Sequence, residues 1–102
     1  MVPALLAGNT LILKPSERNS LVVQALGALF DEAGFLPGVV NILPGGGKTG
    51  ALLAEHMGIR MITFTGSASV GRAVAAAAAK SNMKRVVLEV SLGSSPRAFA
   101  PF

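Results

Sequence analysis

Two adjacent residues, Gly66 and Ser67, have the types and the position to bind an anionic group. They follow an apolar run at residues 61–65 and precede an alanine-rich segment of helical composition, so a strand, a tight turn and a helix start are expected there. The first N–H groups of a helix lack intrahelical partners and carry the positive end of its dipole. Gly66 lets a ligand approach the backbone, and the Ser67 hydroxyl can cap the helix or donate to a phosphate. The pattern suggests a nucleotide phosphate, and the alternative is an ordinary serine-capped helix.

The elements that must position this pair alternate along the chain. Apolar runs of strand type occupy residues 10–13, 39–43, 61–65 and 85–90, and segments with helical spacing or composition separate them. Gly8 and Gly34 are placed to end the first two helices, and Asn19 and Ser20 can cap the second. The alanine run at residues 75–79 would let the last helix lie close to a sheet. Apolar strands separated by helices are typical of a parallel sheet covered on both faces. The sequence therefore predicts an α/β fold.

Chemically useful residues follow each predicted strand, at residues 14–17, 45–49 and 65–67 and at Glu89. Ligands of parallel α/β sheets gather at the carboxyl ends of the strands. We therefore expect all four groups on one rim, which favours the anion site over the plain helix cap.

Two common nucleotide-binding signatures do not fit. Residues 45–49 resemble the end of a P-loop, but that motif needs a glycine five positions before Gly47, where this chain has Ile42. The dinucleotide pattern of three closely spaced glycines is absent too, because Gly66 and Gly71 stand too far apart. Spacing alone supports neither signature.

Composition limits the class of protein. The chain has 102 residues, of which 51% are hydrophobic and 14% charged, so it is one domain or a piece of one, with apolar surface that expects a partner. Charged residues interrupt every apolar run, which argues against a membrane span. Without a basic leader, a cytoplasmic location is expected.

The charge pattern and the missing cysteines exclude further classes. The net charge is +4, but the nine basic residues are scattered, and no Tyr or Trp is interleaved with them, so nucleic-acid binding is not favoured. Lys80, Lys84 and Arg85 form the one local cluster and are expected in the last turn of a helix. No cysteine is present, which excludes disulfides, thiolate metal sites and a cysteine nucleophile within the chain. No metal site is predicted.

Several motifs in one order resemble the aldehyde dehydrogenase superfamily. They are Ala-Gly-Asn-Thr at 7–10, Leu-Lys-Pro-Ser-Glu at 13–17, Glu-Ala-Gly-Phe at 32–35, Pro-Gly-Val-Val-Asn at 37–41, Phe-Thr-Gly-Ser at 64–67 and Leu-Glu at 88–89. The resemblance implies that residues 1–90 are part of a Rossmann-like NAD(P)-binding domain, a parallel sheet flanked by helices. Residues 91–102 are expected to be a divergent C-terminal tail.

The resemblance also implies contacts to the adenosine half of a dinucleotide. Lys14 and Glu17 resemble the pair that binds the adenosine ribose, where a carboxylate accepts from both hydroxyls and an ammonium donates. Glu17 would repel a 2′-phosphate, so NAD is favoured and NADP stays possible. Without the family, this pair would be a solvated loop end with a weak ion pair. Gly47 resembles the glycine that leaves room for the adenine ring.

The remaining implied roles lie later in the chain. Gly66 and Ser67 resemble the pyrophosphate contact, and Val70 resembles an apolar wall beside the adenine, although by pattern alone it would be core. Glu89 resembles the general base. Burial at the end of an apolar strand would raise the pKa of this carboxyl into the useful range. A rim carboxylate paired with a Lys or Arg is the alternative.

The implied reaction is oxidation of an aldehyde to a carboxylic acid with NAD(P), by way of a cysteine thiolate. Because this chain has no cysteine, we expect it to be inactive alone. Its expected partners are the dinucleotide and, in the full-length family, an aldehyde, with oligomers possible only through segments that this chain lacks. The alternative is a non-catalytic nucleotide-binding or interaction fragment.

Overall fold

A computed structural model describes residues 1–91, which fall into two compact units divided after Gly50. The helices and strands alternate, and the strands pair in parallel, so the predicted α/β class is confirmed. In chain order the elements are α1 (Val2–Leu6), β1 (Leu11–Leu13), α2 (Ser20–Glu32), β2 (Val40–Ile42), α3 (Gly47–Glu55), β3 (Met61–Ser67), α4 (Ala68–Lys80) and β4 (Arg85–Ser91). A 3-10 turn at Glu17–Asn19 precedes α2.

The strands form two parallel pairs. In the first unit β1 pairs with β2, and in the second unit β3 pairs with β4 over seven residues each, from Met61 beside Arg85 to Ser67 beside Ser91. Over residues 1–91 these are two two-stranded sheets, whereas the sequence predicted one sheet. A local apolar pattern identifies a strand but does not specify its neighbour.

Glycines end the helices of the first unit as the sequence predicted. Gly8 follows α1 with a φ of 77° and Gly34 follows α2 with a φ of 80°, the left-handed conformation that glycine adopts at helix ends. The start of α2 differs from the prediction, because Asn19 makes no side-chain cap bond. Instead the Ser16 hydroxyl accepts from the Arg18 N–H at 3.3 Å and begins the preceding 3-10 turn.

The second unit packs α4 against one face of the β3–β4 pair. Gly71 and Ala78 are the buried residues of α4, and a Cβ added to Gly71 would lie 3.0 Å from Val90 Cγ1. Small side chains thus let α4 lie close to the sheet, as predicted. Alternate residues of the other face, among them Thr65 and Glu89, are exposed. In the described chain the sheet is therefore covered on one face, not on both.

Lys84 is buried beside the end of α3. Its side chain is 7% exposed, and its ammonium donates to the Ala54 carbonyl oxygen and, at 2.7 Å, to Ser81 Oγ. Lys84 lies beyond α4, which ends at Lys80. The prediction that Lys84 and Arg85 would occupy the last turn of that helix is wrong, because Arg85 begins β4 and the charge of Lys84 instead satisfies a carbonyl in the last turn of α3.

Asn82 fastens the turn between α4 and β4. Its amide nitrogen donates to the carbonyl oxygens of Met57 at 2.8 Å and Ile59 at 2.9 Å, and its Oδ1 accepts from the Lys84 N–H at 3.2 Å. Met83, between them, has a φ of 53°. Asn82 therefore holds this turn against the loop that precedes β3.

Large apolar side chains are only partly buried in the described residues. The buried apolar residues are Ala54 and Ala78, whereas Leu21 and Val22 on α2 are 80% and 73% exposed. No helix of the described part of the chain is long and apolar enough to cross a membrane.

Candidate functional site

The ends of β1 and β2 bring Lys14 to a glycine-rich loop. The Leu43 N–H donates to the Leu13 carbonyl oxygen at 2.9 Å, so the two chains leave the sheet side by side. The Lys14 ammonium then donates to the Gly45 carbonyl oxygen at 2.5 Å and to the Pro15 carbonyl oxygen at 2.9 Å. Lys14 is thus a half-buried cation that joins the loops after the two strands.

Glu17 reaches the same loop from the first turn after β1. Its carboxylate lies against Gly46, where an added Cβ would collide with Oε1 and would lie 3.4 Å from Cδ. Gly46 directly precedes α3, and its carbonyl accepts from the Gly50 N–H at 3.2 Å. The carboxylate therefore lies at the N-terminus of α3, where the helix dipole favours a negative charge.

Gly47, the first residue of α3, has open space on one side. A Cβ added there would meet nothing within 4 Å, so a flat ring could approach the backbone closely. At Gly45, by contrast, an added Cβ would lie 2.8 Å from Thr49 Cβ. The loop is packed at Gly45 and open at Gly47.

In the second unit Ser67 caps α4, which is one of the two roles that the sequence left open for its hydroxyl. Its Oγ accepts from the Val70 N–H at 3.4 Å and lies 3.2 Å from Ser69 Oγ. The tight turn expected at residues 66–67 is absent, because β3 continues through Ser67 and α4 starts at the next residue. Since the cap bond uses a lone pair of the oxygen, the hydroxyl proton can still be donated.

Gly66 has a packing role that the sequence analysis missed. An added Cβ would lie 2.6 Å from Cζ of Phe64, two residues back on the same face of β3. The period of two in a strand is the signal that could have revealed this neighbour. Val70, expected in the core by pattern alone, is 48% exposed in the first turn of α4 and presents apolar surface.

Glu89 is not buried as expected. It lies beside Thr65 in the register of β3 and β4 and is exposed. Its neighbours in the strand, Leu88 and Val90, are the residues that approach Gly71 of α4, so Glu89 lies on the opposite face. Its role as a general base stays a prediction.

The structure thus groups the site residues within each unit. Lys14, Glu17 and Gly47 surround one loop of the first unit, and Gly66, Ser67 and Val70 surround the start of α4 in the second. Gly46, which contacts the Glu17 carboxylate, could not be predicted from the sequence, because glycine carries no chemical signal of its own. Over residues 1–91, no three His, Cys, Asp or Glu side chains are grouped so that they could hold a metal ion.

The sequence of this chain is similar to those of a large group of enzymes. The sequence model of the aldehyde dehydrogenase family matches residues 1–97, which extends past Glu89. Retinal dehydrogenase 2 of Mus musculus is 55% identical over 97 residues, which are 94% of this chain and 18% of that protein. Retinaldehyde dehydrogenase 3 of Homo sapiens is 53% identical over the same share of this chain and 19% of its own. The chain thus spans about a fifth of the length of these relatives.

Solved structures give the same result for the fold. Gamma-glutamyl-gamma-aminobutyraldehyde dehydrogenase from Burkholderia cenocepacia superposes with a TM-score of 0.85 at 47% identity, over 87% of this chain and 18% of that one. PnpE in complex with nicotinamide adenine dinucleotide superposes with a TM-score of 0.83 at 48% identity, over the same shares. PnpE comes from a Pseudomonas species.

Proposed function

This chain belongs to the aldehyde dehydrogenase family, and we propose that it contributes the adenosine and pyrophosphate contacts of an NAD-binding site. Lys14 and Glu17 hold the adenosine ribose, with the Glu17 carboxylate accepting from its hydroxyls. Gly47 leaves room for the adenine and Val70 is an apolar wall beside it, while Gly66 and Ser67 contact the pyrophosphate.

One observation carries this proposal. Both charged side chains of the Lys-Pro-Ser-Glu turn meet the loop before α3, where Lys14 donates to the Gly45 carbonyl oxygen and Glu17 contacts Gly46. Next to them Gly47 has open space. A donor, an acceptor and a surface open to a flat ring are the groups that an adenosine needs, so the residues present fit the cofactor.

For the whole protein we propose oxidation of an aldehyde to a carboxylic acid. Bound NAD(P) would supply the hydride acceptor, a cysteine thiolate would be the nucleophile, and Glu89 would act as the general base. This chain contains no cysteine, so we propose that it binds dinucleotide without oxidising aldehydes. Its relatives carry the names of different aldehydes, and we assign none of them.

Calorimetric titration of the purified chain with NAD and NADP tests the site. We expect saturable binding that favours NAD, because the Glu17 carboxylate repels a 2′-phosphate. Glu17→Ala should weaken NAD binding about tenfold to a hundredfold, since hydrogen bonds to a charged group are lost. Ser67→Ala should weaken the binding of both dinucleotides alike. Ser67→Thr should bind both as the unchanged chain does, because threonine keeps the hydroxyl.

Glu32→Ala is the matched control, because it removes a carboxylate from the far end of α2. It should bind both dinucleotides as the unchanged chain does. Circular dichroism of each variant shows whether it is folded. A folded chain that binds neither dinucleotide contradicts the proposal.

The second candidate is a non-catalytic interaction fragment. The exposure of Leu21 and Val22 favours it, because both are large apolar residues on one helix. Absence of dinucleotide binding by a folded chain would support this candidate. A cytoplasmic location and oligomers formed with further segments stay predictions.

A further inference from the structure

We propose that Gly46 is a positioning residue that sets the preference for NAD over NADP through the Glu17 carboxylate. The inference rests on the dinucleotide site proposed above. It adds a residue that has no contact of its own with the cofactor and acts by leaving space for another side chain.

The geometry at Gly46 leaves that space for a carboxylate. An added Cβ would collide with Glu17 Oε1, and the backbone of Gly46 lies outside the left-handed region, so alanine can adopt its conformation. The colliding atom is the far end of a flexible side chain. Gly46→Ala should therefore move the carboxylate and leave the backbone in place.

The backbone of Glu17 has little freedom to follow such a change. Glu17 begins the 3-10 turn capped by Ser16, and Pro15 before it is buried. Only the side-chain rotamer of Glu17 can respond to a Cβ at position 46. The position of its carboxylate then decides whether it reaches the ribose hydroxyls and how strongly it repels a 2′-phosphate, since charge repulsion falls with distance.

Lys14 should be unaffected by the same change. Its ammonium is bound to the carbonyl oxygens of Pro15 and Gly45, on the backbone and not at the Cβ position of Gly46. The Lys14 ammonium, which attracts both NAD and NADP, therefore stays in place. The expected effect is on discrimination between the two dinucleotides more than on binding as such.

The test compares dissociation constants for NAD and NADP in matched variants of the full chain. Gly46→Ala should weaken NAD binding about tenfold, the effect of losing a charge-assisted hydrogen bond, and should not weaken NADP binding, because the carboxylate that repels the 2′-phosphate is displaced. Gly50→Ala is the control, because its Cβ would lie 3.5 Å from Lys14 Cε, an ordinary contact. Its ratio of NAD to NADP affinity should equal that of the unchanged chain.

A double-mutant cycle separates positioning from a general structural effect. If Gly46 acts through Glu17, the variant carrying Gly46→Ala and Glu17→Gln should have the affinity ratio of Glu17→Gln alone. Gly46→Ser repeats the test with a residue favoured at a helix N-cap, in case Gly46→Ala does not fold.

Three outcomes would overturn the inference. If the unchanged chain binds neither dinucleotide, the proposed function fails and this inference fails with it. If the chain prefers NAD and Gly46→Ala or Gly46→Ser keeps that preference, only the role of Gly46 fails. Additive effects in the double variant would likewise contradict action through Glu17.

Discussion

Lys84 combines burial with a formal charge. Its ammonium is satisfied by one carbonyl oxygen and by the Ser81 hydroxyl, and that hydroxyl also donates to the Ala78 carbonyl oxygen at 3.0 Å. Buried polar groups are costly when they lose a partner, more so than their bonds are stabilising when made. Lys84 should therefore matter more for stability than its position in a connecting turn suggests.

We expect Lys84→Met to lower the free energy of unfolding by about 1–3 kcal/mol. Methionine keeps an unbranched apolar stem but removes the ammonium, so the Ala54 carbonyl oxygen keeps the longer bond from Ser81 Oγ at 3.4 Å and loses the charged donor. Lys80→Met, at the exposed end of α4, should change it by less than about 0.5 kcal/mol. Urea denaturation followed by circular dichroism measures both, and equal losses would contradict the role given to Lys84.

Individual side chains differed in how far the sequence predicted them. The possible Ser67 cap could be read from the sequence because capping depends on residues adjacent in the chain. The burial of Glu89 was wrong, because it depends on which face of β4 the helix α4 covers. Lys84 was wrongly placed in the last turn of a helix, because its partner Ala54 is distant in sequence.

The packing of α4 on its sheet depends on small residues along one stripe of the helix. Gly71 and Ala78, seven positions apart, are buried, and this spacing returns to the same face after two turns. Val90 Cγ1 fills the space that a side chain at Gly71 would need. The distance between helix and sheet is therefore set by the absence of that side chain.

Gly71→Val should destabilise the chain by about 1–3 kcal/mol, because the new methyl groups overpack against Val90 and Leu88. Ala76→Val places the same side chain on the exposed face of α4 and should cost no more than about 0.7 kcal/mol, from helix propensity alone. Urea unfolding curves of the two variants test the difference. If Gly71→Val lowers the free energy of unfolding no more than Ala76→Val does, close packing of α4 on the sheet is contradicted.

Elements were predicted well because their signals are local. Apolar runs located all four strands, and Gly8 and Gly34 marked helix ends as expected. The boundaries shifted by one or two residues, as at Ser67, because hydrogen bonding to β4 extends the strand.

The described chain as a whole carries more exposed apolar surface than a stable domain of its size needs. Leu6 and Met83 are more than four-fifths exposed, as Leu21 nearly is, while alanines supply the buried apolar positions. Burial of large side chains provides most of the free energy of folding. The purified chain should therefore be marginally stable and prone to self-association.

Replacing both Leu21 and Val22 with serine should reduce self-association without loss of stability. Their side chains are exposed, so the free energy of unfolding should change by no more than about 0.5 kcal/mol for each. Light scattering over a concentration series measures association, and urea unfolding measures stability. A large loss of stability would mean that these side chains are buried in solution.

The arrangement of strands into sheets was the least predictable feature. The sequence predicted one sheet with all ligand-binding ends on one rim, and the described residues form two pairs. Within the first pair the predicted meeting of Lys14 and Glu17 with the glycine loop was confirmed. Pairing depends on contacts between residues far apart in the chain, which local periodicity does not encode.

The left-handed backbone of Met83 has a consequence for how this sequence could evolve. Such a conformation costs an L-residue about 1–2 kcal/mol relative to a helical one, and Met83, 81% exposed, recovers little of it through packing. The bonds of Asn82 and Lys84 on either side hold the turn in this shape. A change of Met83 to glycine or asparagine would therefore raise the free energy of unfolding. It would not alter any residue assigned to the cofactor, so this sequence can gain stability at position 83 without a change in its binding site.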